Sequence, residues 1–221
     1  LIMSGEMPKE QIAMRLCCAM APADIGVLRN APHKLPKEEF TAYTNAVVML
    51  KNVPMQINDT SRPSIANIRE SIRKTQHQYG FVGAVLVDYL QIMKTTKPFA
   101  REDLKIAYFT GELKAMAKEF NCVIVLLSQL NRELEKRPNK RPVLSDLRES
   151  GAIEQDADQI IFLYRDEIYN KESQFRGIAE AIVGKNRHGE AGTAYMHAQL
   201  KYCQFTNLDH DALNQIQGNL I

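Results

Sequence analysis

The sequence predicts an α/β protein, a mainly parallel sheet flanked by helices with an antiparallel hairpin at its C-terminal edge. Three observations carry this. The runs AVLVD, ending at Asp88, and CVIVLLS, ending at Ser128, are short, rich in Val, Ile and Leu, and close on a polar residue. Such runs suit parallel strands buried on both faces. Segments with helical spacing separate the early strands, as parallel crossovers require. Finally, residues 178–185 and 193–200 flank the turn NRHGEAG, which reads as a hairpin.

Taken in order, Leu1-Ile2-Met3-Ser4 looks like the end of a buried strand. Together with the absence of an initial Met, this is the expectation for a piece of a longer polypeptide. Pro8 suits a first helical turn, with Ile12, Leu16 and Met20 four apart behind it. A second helix is expected over 35–52, with Phe40, Tyr43, Val47 and Leu50 on one stripe, and a short strand over 55–59. Ser64 caps a helix carrying Ile65, Ile68 and Ile72 and ended by Gly80. The strand to Asp88 follows, then a long helix over 101–120 with Leu104, Ala107, Tyr108 and Leu113 inward. Cys122 opens the next strand as a core residue. Residues 129–147 form a polar loop, 158–166 a strand, and KYCQF extends the second strand of the hairpin. One domain over 1–206 and a flexible tail over 207–221 are expected, without repeats or low-complexity segments.

Hydrophobic content of 45% and charged content of 24% are ordinary for a globular protein. No apolar run approaches the roughly 20 residues needed to span a bilayer. The four cysteines show no metal-ligand spacing, which fits a reduced, cytoplasmic setting and no membrane partner. A net charge of +2 neither demands nor excludes nucleic acid, so the placement of basic residues matters more.

The chemistry sits at strand ends. In open α/β sheets ligands gather at the carboxyl ends of strands. Asp88, after four apolar residues, is where nucleotide hydrolases hold the magnesium of a triphosphate. Gln129, past the next strand, is placed to sense that triphosphate. Glu6, just past the first strand, can orient or deprotonate an attacking water; the plainer reading is an acid favoured by the following helix dipole. Between Arg132 and Arg141 a basic loop can follow a phosphate backbone or simply be solvated. Arg148, Ser150 and Gly151 stand together before a buried run, and glycine there permits an unusual backbone angle or close approach of a phosphate. Glu154, Asp156 and Asp158 are many acids for a core edge. Lys185 and Arg187, two apart on an extended segment, can meet the phosphates of a neighbouring subunit's nucleotide, or form a basic hairpin tip.

SGEMPKEQIAMRL, INDT, VDYLQIM, LSQLNRELEKRPNKRPVLSDLRESGAIEQDADQIIFLYR and KNRHG occur in this order. In them the chain resembles the C-terminal ATPase domain of DnaB-type replicative DNA helicases, which have a RecA-like fold. The resemblance implies a hexameric ring, driven by ATP and Mg2+, that translocates on single-stranded DNA and unwinds duplex during replication, with primase and a helicase loader as partners. It implies that Glu6 polarises the attacking water and that Asp88 holds magnesium through water. It implies that Gln129 links the γ-phosphate to the DNA loops. Arg148, Glu149 and Gly151 would grip single-stranded DNA, and Lys185 and Arg187 would reach the adjacent subunit's nucleotide. The family reads Ser-Leu-Glu-Met where this chain has Gly5. No G-x-x-x-x-G-K-[ST] phosphate loop occurs; the family places it just upstream of the strand that begins here at Leu1, and this sequence alone is expected to hydrolyse ATP negligibly. The alternatives are an ATPase-deficient nucleic-acid-binding or assembly module, or another RecA-like ATPase such as a recombinase or a KaiC-like protein.

Overall fold

The computed structural model describes residues 1–147 and 151–209. In chain order the elements are β1 (Ile2–Ser4), α1 (Lys9–Met20), α2 (Ile25–Asn30), α3 (Lys37–Lys51), β2 (Ile57–Asn58), α4 (Ile65–Tyr79), β3 (Ala84–Asp88), α5 (Glu102–Glu119), β4 (Val123–Leu126), α6 (Gly151–Asp156), β5 (Gln159–Tyr164), β6 (Ile178–Asn186), β7 (Gly192–Gln199) and β8 (Gln204–Asn207). Two compact units divide them. The first comprises Leu1–Ile12, Val53–Leu134 and Leu144–Asp158; the second takes Ala13–Asn52, Glu135–Val143 and the chain from Gln159 onward.

The first unit is built on a parallel sheet of order β2-β1-β3-β4. Its helices form as their termini dictate. Ser64 accepts from the Asn67 N–H while the Asn67 side chain accepts from the Ser64 N–H, a capping box that opens α4. Gly80, at φ 82, closes it with an N–H donated to the Gln76 carbonyl. The predicted face of Ile65, Ile68 and Ile72 is buried. On α5 the buried face is Ile106, Phe109, Thr110, Leu113 and Met116 instead of the expected one, and Leu104 is exposed.

The expectation of strands buried on both faces is corrected. Val85 and Val87 of β3 are buried, but Leu86, Val123 and Val125 on alternate positions are exposed, Val123 at 61%. The apolar run is continuous in sequence because both faces are apolar, yet only one is covered among the described residues. Cys122 is likewise only half-buried.

The second unit carries an antiparallel sheet of order β5-β6-β7-β8, so the hairpin belongs to a four-stranded sheet of its own. KYCQF does not extend β7. Residues 200–202 form a 3-10 turn, Cys203 adopts φ 55, and the chain reverses into β8 alongside β7. Within this unit α3 buries Ala46, with Tyr43, Val47 and Leu50 half-buried against it, whereas Phe40 is exposed. On α1, Cys17 and Cys18 are the buried positions and Met20 is exposed. The short helix α2 has no counterpart in the sequence-based expectations; Asp24 caps it by accepting from the Gly26 and Val27 N–H groups. The tail expectation for 207–221 lies mostly outside the described residues, since β8 runs to Asn207 and description ends at 209.

Candidate active site and DNA-facing segment

Parallel pairing aligns the carboxyl ends of β1, β3 and β4. Ser4 is the register partner of Asp88, and Val87 that of Leu126. The alignment continues past the strands. The Gly5 N–H donates to the Asp88 carbonyl at 2.9 Å, and the Leu90 N–H donates to the Leu127 carbonyl at 2.9 Å. Glu6, Asp88 and Gln129 therefore leave neighbouring strand ends on one edge of the sheet. Glu6 and Gln129 are exposed and Asp88 is half-buried. Among the described residues, no hydrogen bond or ion pair ties down the side chain of any of the three.

Their neighbours, by contrast, are committed. Ser4 is 1% exposed, and its Oγ donates to the Met7 carbonyl while accepting from the Met7 N–H. That turn sets the path of Gly5 and Glu6. A Cβ on Gly5 would lie 2.4 Å from Ile92 Cδ1, so the Ile92 side chain occupies the space a larger residue would need. The Asp88–Tyr89 peptide is cis.

Gln91 carries no signal in the sequence that singles it out. Its Nε2 donates to Ser128 Oγ at 3.0 Å and to the Gln129 carbonyl at 3.3 Å, and its Oε1 accepts from the Gln129 N–H at 3.1 Å. One amide thus fixes the backbone of Gln129 from the strand end that bears Asp88.

Beyond Gln129 the chain makes an excursion and returns. Leu130 and Leu147 form an isolated antiparallel bridge, and the Asn131 N–H donates to the Asp146 carbonyl at 2.8 Å. Arg148 and Glu149, expected to grip DNA, lie outside the described residues. Gly151 opens α6 and is exposed. It lies outside the left-handed region, so an unusual backbone angle is not what it supplies; nothing lies within 4 Å of where its Cβ would be. Gly151 and Ala152 line a hollow of about 620 Å³ together with Arg101, Leu104 and Ala107. The acids after Gly151 are anchors: Asp156 accepts from Thr110 Oγ1 at 2.5 Å, and Asp158 pairs with Lys114, tying the end of α6 to α5.

In the second unit, Lys185 is half-buried within β6, paired in register with Ile160 of β5, and Arg187 is exposed in the following turn. Asn186 organises that turn: its Oδ1 accepts from the His188 N–H and its Nδ2 donates to the Glu190 carbonyl. The basic loop is not free to follow a phosphate backbone along its whole length. Arg141 is paired with Glu180 of β6, and Arg137 donates to the Arg141 carbonyl at 3.1 Å.

Residues 1–207 match the protein family described as the DnaB-like helicase C terminal domain. The chain is 42% identical over 209 residues to the replicative DNA helicase DnaB of Haemophilus influenzae, covering 94% of this chain and 44% of that protein. To the DnaB of Geobacillus stearothermophilus it is 37% identical, covering 94% and 45%. Among solved structures, one described as an isolated ATPase domain superposes with a TM-score of 0.89 at 35% identity, over 94% of this chain and 74% of that one. A DnaB-like replicative helicase described with its primase interactions gives the same TM-score and identity, over 94% and 50%. The chain thus spans less than half the length of the curated relatives it matches. It belongs to the family of DnaB-like helicase C-terminal domains.

Proposed function

We propose that this chain is the motor portion of a hexameric replicative helicase, which hydrolyses ATP at sites between subunits and translocates on single-stranded DNA to unwind duplex. The observation that carries this is the edge where Glu6, Asp88 and Gln129 leave adjacent parallel strand ends with uncommitted side chains. Asp88, a half-buried carboxylate at a strand end, suits Mg2+ held through water beside a triphosphate. Bound MgATP supplies the scissile phosphoanhydride and the charge neutralisation. The chain's own groups divide the remaining work. Glu6, aimed by the Ser4 turn, orients the attacking water and accepts its proton. Gln129, held by Gln91, reads the triphosphate and passes its state through the Leu130–Leu147 bridge to Arg148, Glu149 and Gly151, which hold the DNA backbone. Lys185 and Arg187 stabilise charge on the nucleotide of the adjoining subunit. The phosphate-loop motif absent from these residues is supplied, in this reading, by the longer polypeptide. Primase and a helicase loader are its protein partners, primase by analogy with the solved relative.

The test is strand displacement on a forked duplex by the full-length protein, wild type and Glu6→Gln. The variant is expected to bind nucleotide and single-stranded DNA near normally, with ATP turnover and unwinding reduced by about 100-fold or more. A wild-type protein that binds DNA without ATP-dependent unwinding supports an assembly module instead. A Glu6→Gln variant with near-normal turnover removes Glu6 from the chemistry.

A further inference from the structure

The excursion between the Leu130–Leu147 bridge partners is pinned at one point. Arg141 Nε donates to Glu180 Oε2 at 2.8 Å and Nη2 donates to Oε1 at 2.7 Å, a two-bond fork. Glu180 sits within β6 and is only 4% exposed. A buried carboxylate without its cation is costly, so the fork fixes where Arg141 must be. Further contacts hold the same spot. The Arg141 guanidinium lies 4.9 Å from the Tyr164 ring centroid, and Lys140 Nζ lies 5.3 Å from that of Tyr169. Tyr164 and Tyr169 stack at 5.8 Å, and Tyr164 donates to Asp166. Burial, and then that hydrogen bond, push the Tyr164 hydroxyl up to about 12, so it stays a neutral donor.

Without such a pin, a linker of about ten residues would vary in end-to-end distance by on the order of 17 Å, and no small displacement would survive passage through it. With it, the excursion that begins beside Gln129 and ends beside Arg148 is fastened to the strand that carries Lys185, five residues beyond Glu180. We infer that Arg141 and Glu180 are a positioning pair that couples the nucleotide-sensing and DNA-gripping ends of this excursion to β6 and its Lys185-Arg187 cations. Neither touches nucleotide or DNA. The inference rests on the motor reading above.

The test measures ATP turnover by the full-length protein with and without saturating single-stranded DNA, for wild type, Arg141→Lys and the double variant Arg141→Met/Glu180→Met. Lysine keeps the charge and loses the fork; the paired methionines remove the buried charges together, which spares the fold. Both variants are expected to keep basal kcat and KM for ATP within about twofold of wild type and to lose about 3- to 30-fold of the stimulation by DNA. A variant that melts and is stimulated as wild type does overturns the inference, and so does equal loss of basal and stimulated turnover, which marks a purely structural pair. A wild-type protein that DNA does not stimulate at all overturns the motor reading itself, and the inference with it.

Discussion

Leu130 and Leu147 pair across an antiparallel bridge, one residue past Gln129 and one residue before Arg148. The two residues that the family resemblance assigns to nucleotide sensing and DNA gripping are therefore neighbours of one short piece of paired backbone. Between them the chain travels out and back, so a shift of the Gln129 strand end reaches the DNA-facing stretch without crossing that excursion.

Gln91 is the side chain that keeps this strand end in place. Gln91→Ala removes three hydrogen bonds to Ser128 and Gln129. Because Gln129 is exposed, water replaces part of what is lost, and the stability cost is expected to be about 1 kcal/mol. The larger effect falls on coupling: stimulation of ATP turnover by single-stranded DNA should drop by more than basal turnover does. Denaturant unfolding and the two turnover rates measure this, and unchanged stimulation would separate Gln91 from the sensing path.

Gly5 and Ile92 should be energetically coupled. Alanine at position 5 would meet Ile92 Cδ1, the end of a flexible side chain, so Gly5→Ala is expected to cost about 1 kcal/mol. Ile92→Val deletes that methyl, and in its background Gly5→Ala should cost less by about 0.5 kcal/mol or more. A double-mutant cycle in urea checks it, and additivity within measurement error would show that the space is shared with something else.

Much of the edge that bears the candidate site is legible in the sequence, because a buried strand writes its signature in four or five consecutive residues and its polar stop marks the end. Asp88 and Gln129 stand out that way. The helix faces are less legible. Between Leu104 and Leu113 apolar side chains point around most of α5, so the phase is set by what it packs on, and Lys97 lies over Tyr108 at 4.2 Å on the uncovered side. Pairings at long range leave no local trace. Nothing near Gln91 announces Ser128, and nothing in the composition of the 132–141 loop announces the buried carboxylate of Glu180. The acids Asp156 and Asp158 stand out as surplus charge, but their partners on α5 belong to another segment. Gly151 suggests backbone freedom in the sequence, whereas the structure uses it as an ordinary first helical residue with open space beside it.

Cys18 carries a pH dependence of known sign. It is fully buried against Ala23, Leu35 and Cys203. Burial above all pushes its thiol from the ordinary 9.0 up to about 11. Below pH 9 the thiol is neutral in both folded and unfolded chains. Between about 9 and 11 the unfolded chain releases the proton and the folded one keeps it, so stability falls as pH rises. Cys18→Ala should flatten the decline across this window by on the order of 2 kcal/mol, whatever its effect at neutral pH. Urea unfolding at pH 8 to 11 measures the difference, and parallel curves for the two proteins would contradict it.

The proposed motor depends most on nucleotide sites shared between subunits, with Glu6 acting in its own subunit and Arg187 in its neighbour's site. The direct test is to make full-length Glu6→Gln and Arg187→Ala, each inactive alone, and co-express them so that rings contain both. An interface that joins the Glu6 of an Arg187→Ala subunit to the Arg187 of a Glu6→Gln subunit is wild type. In an equal mixture about a quarter of the interfaces have this composition. ATP turnover of the mixed rings should therefore rise well above that of either parent. Mixed rings as inactive as the two parents would place Arg187 in its own subunit's site and contradict the shared-site motor.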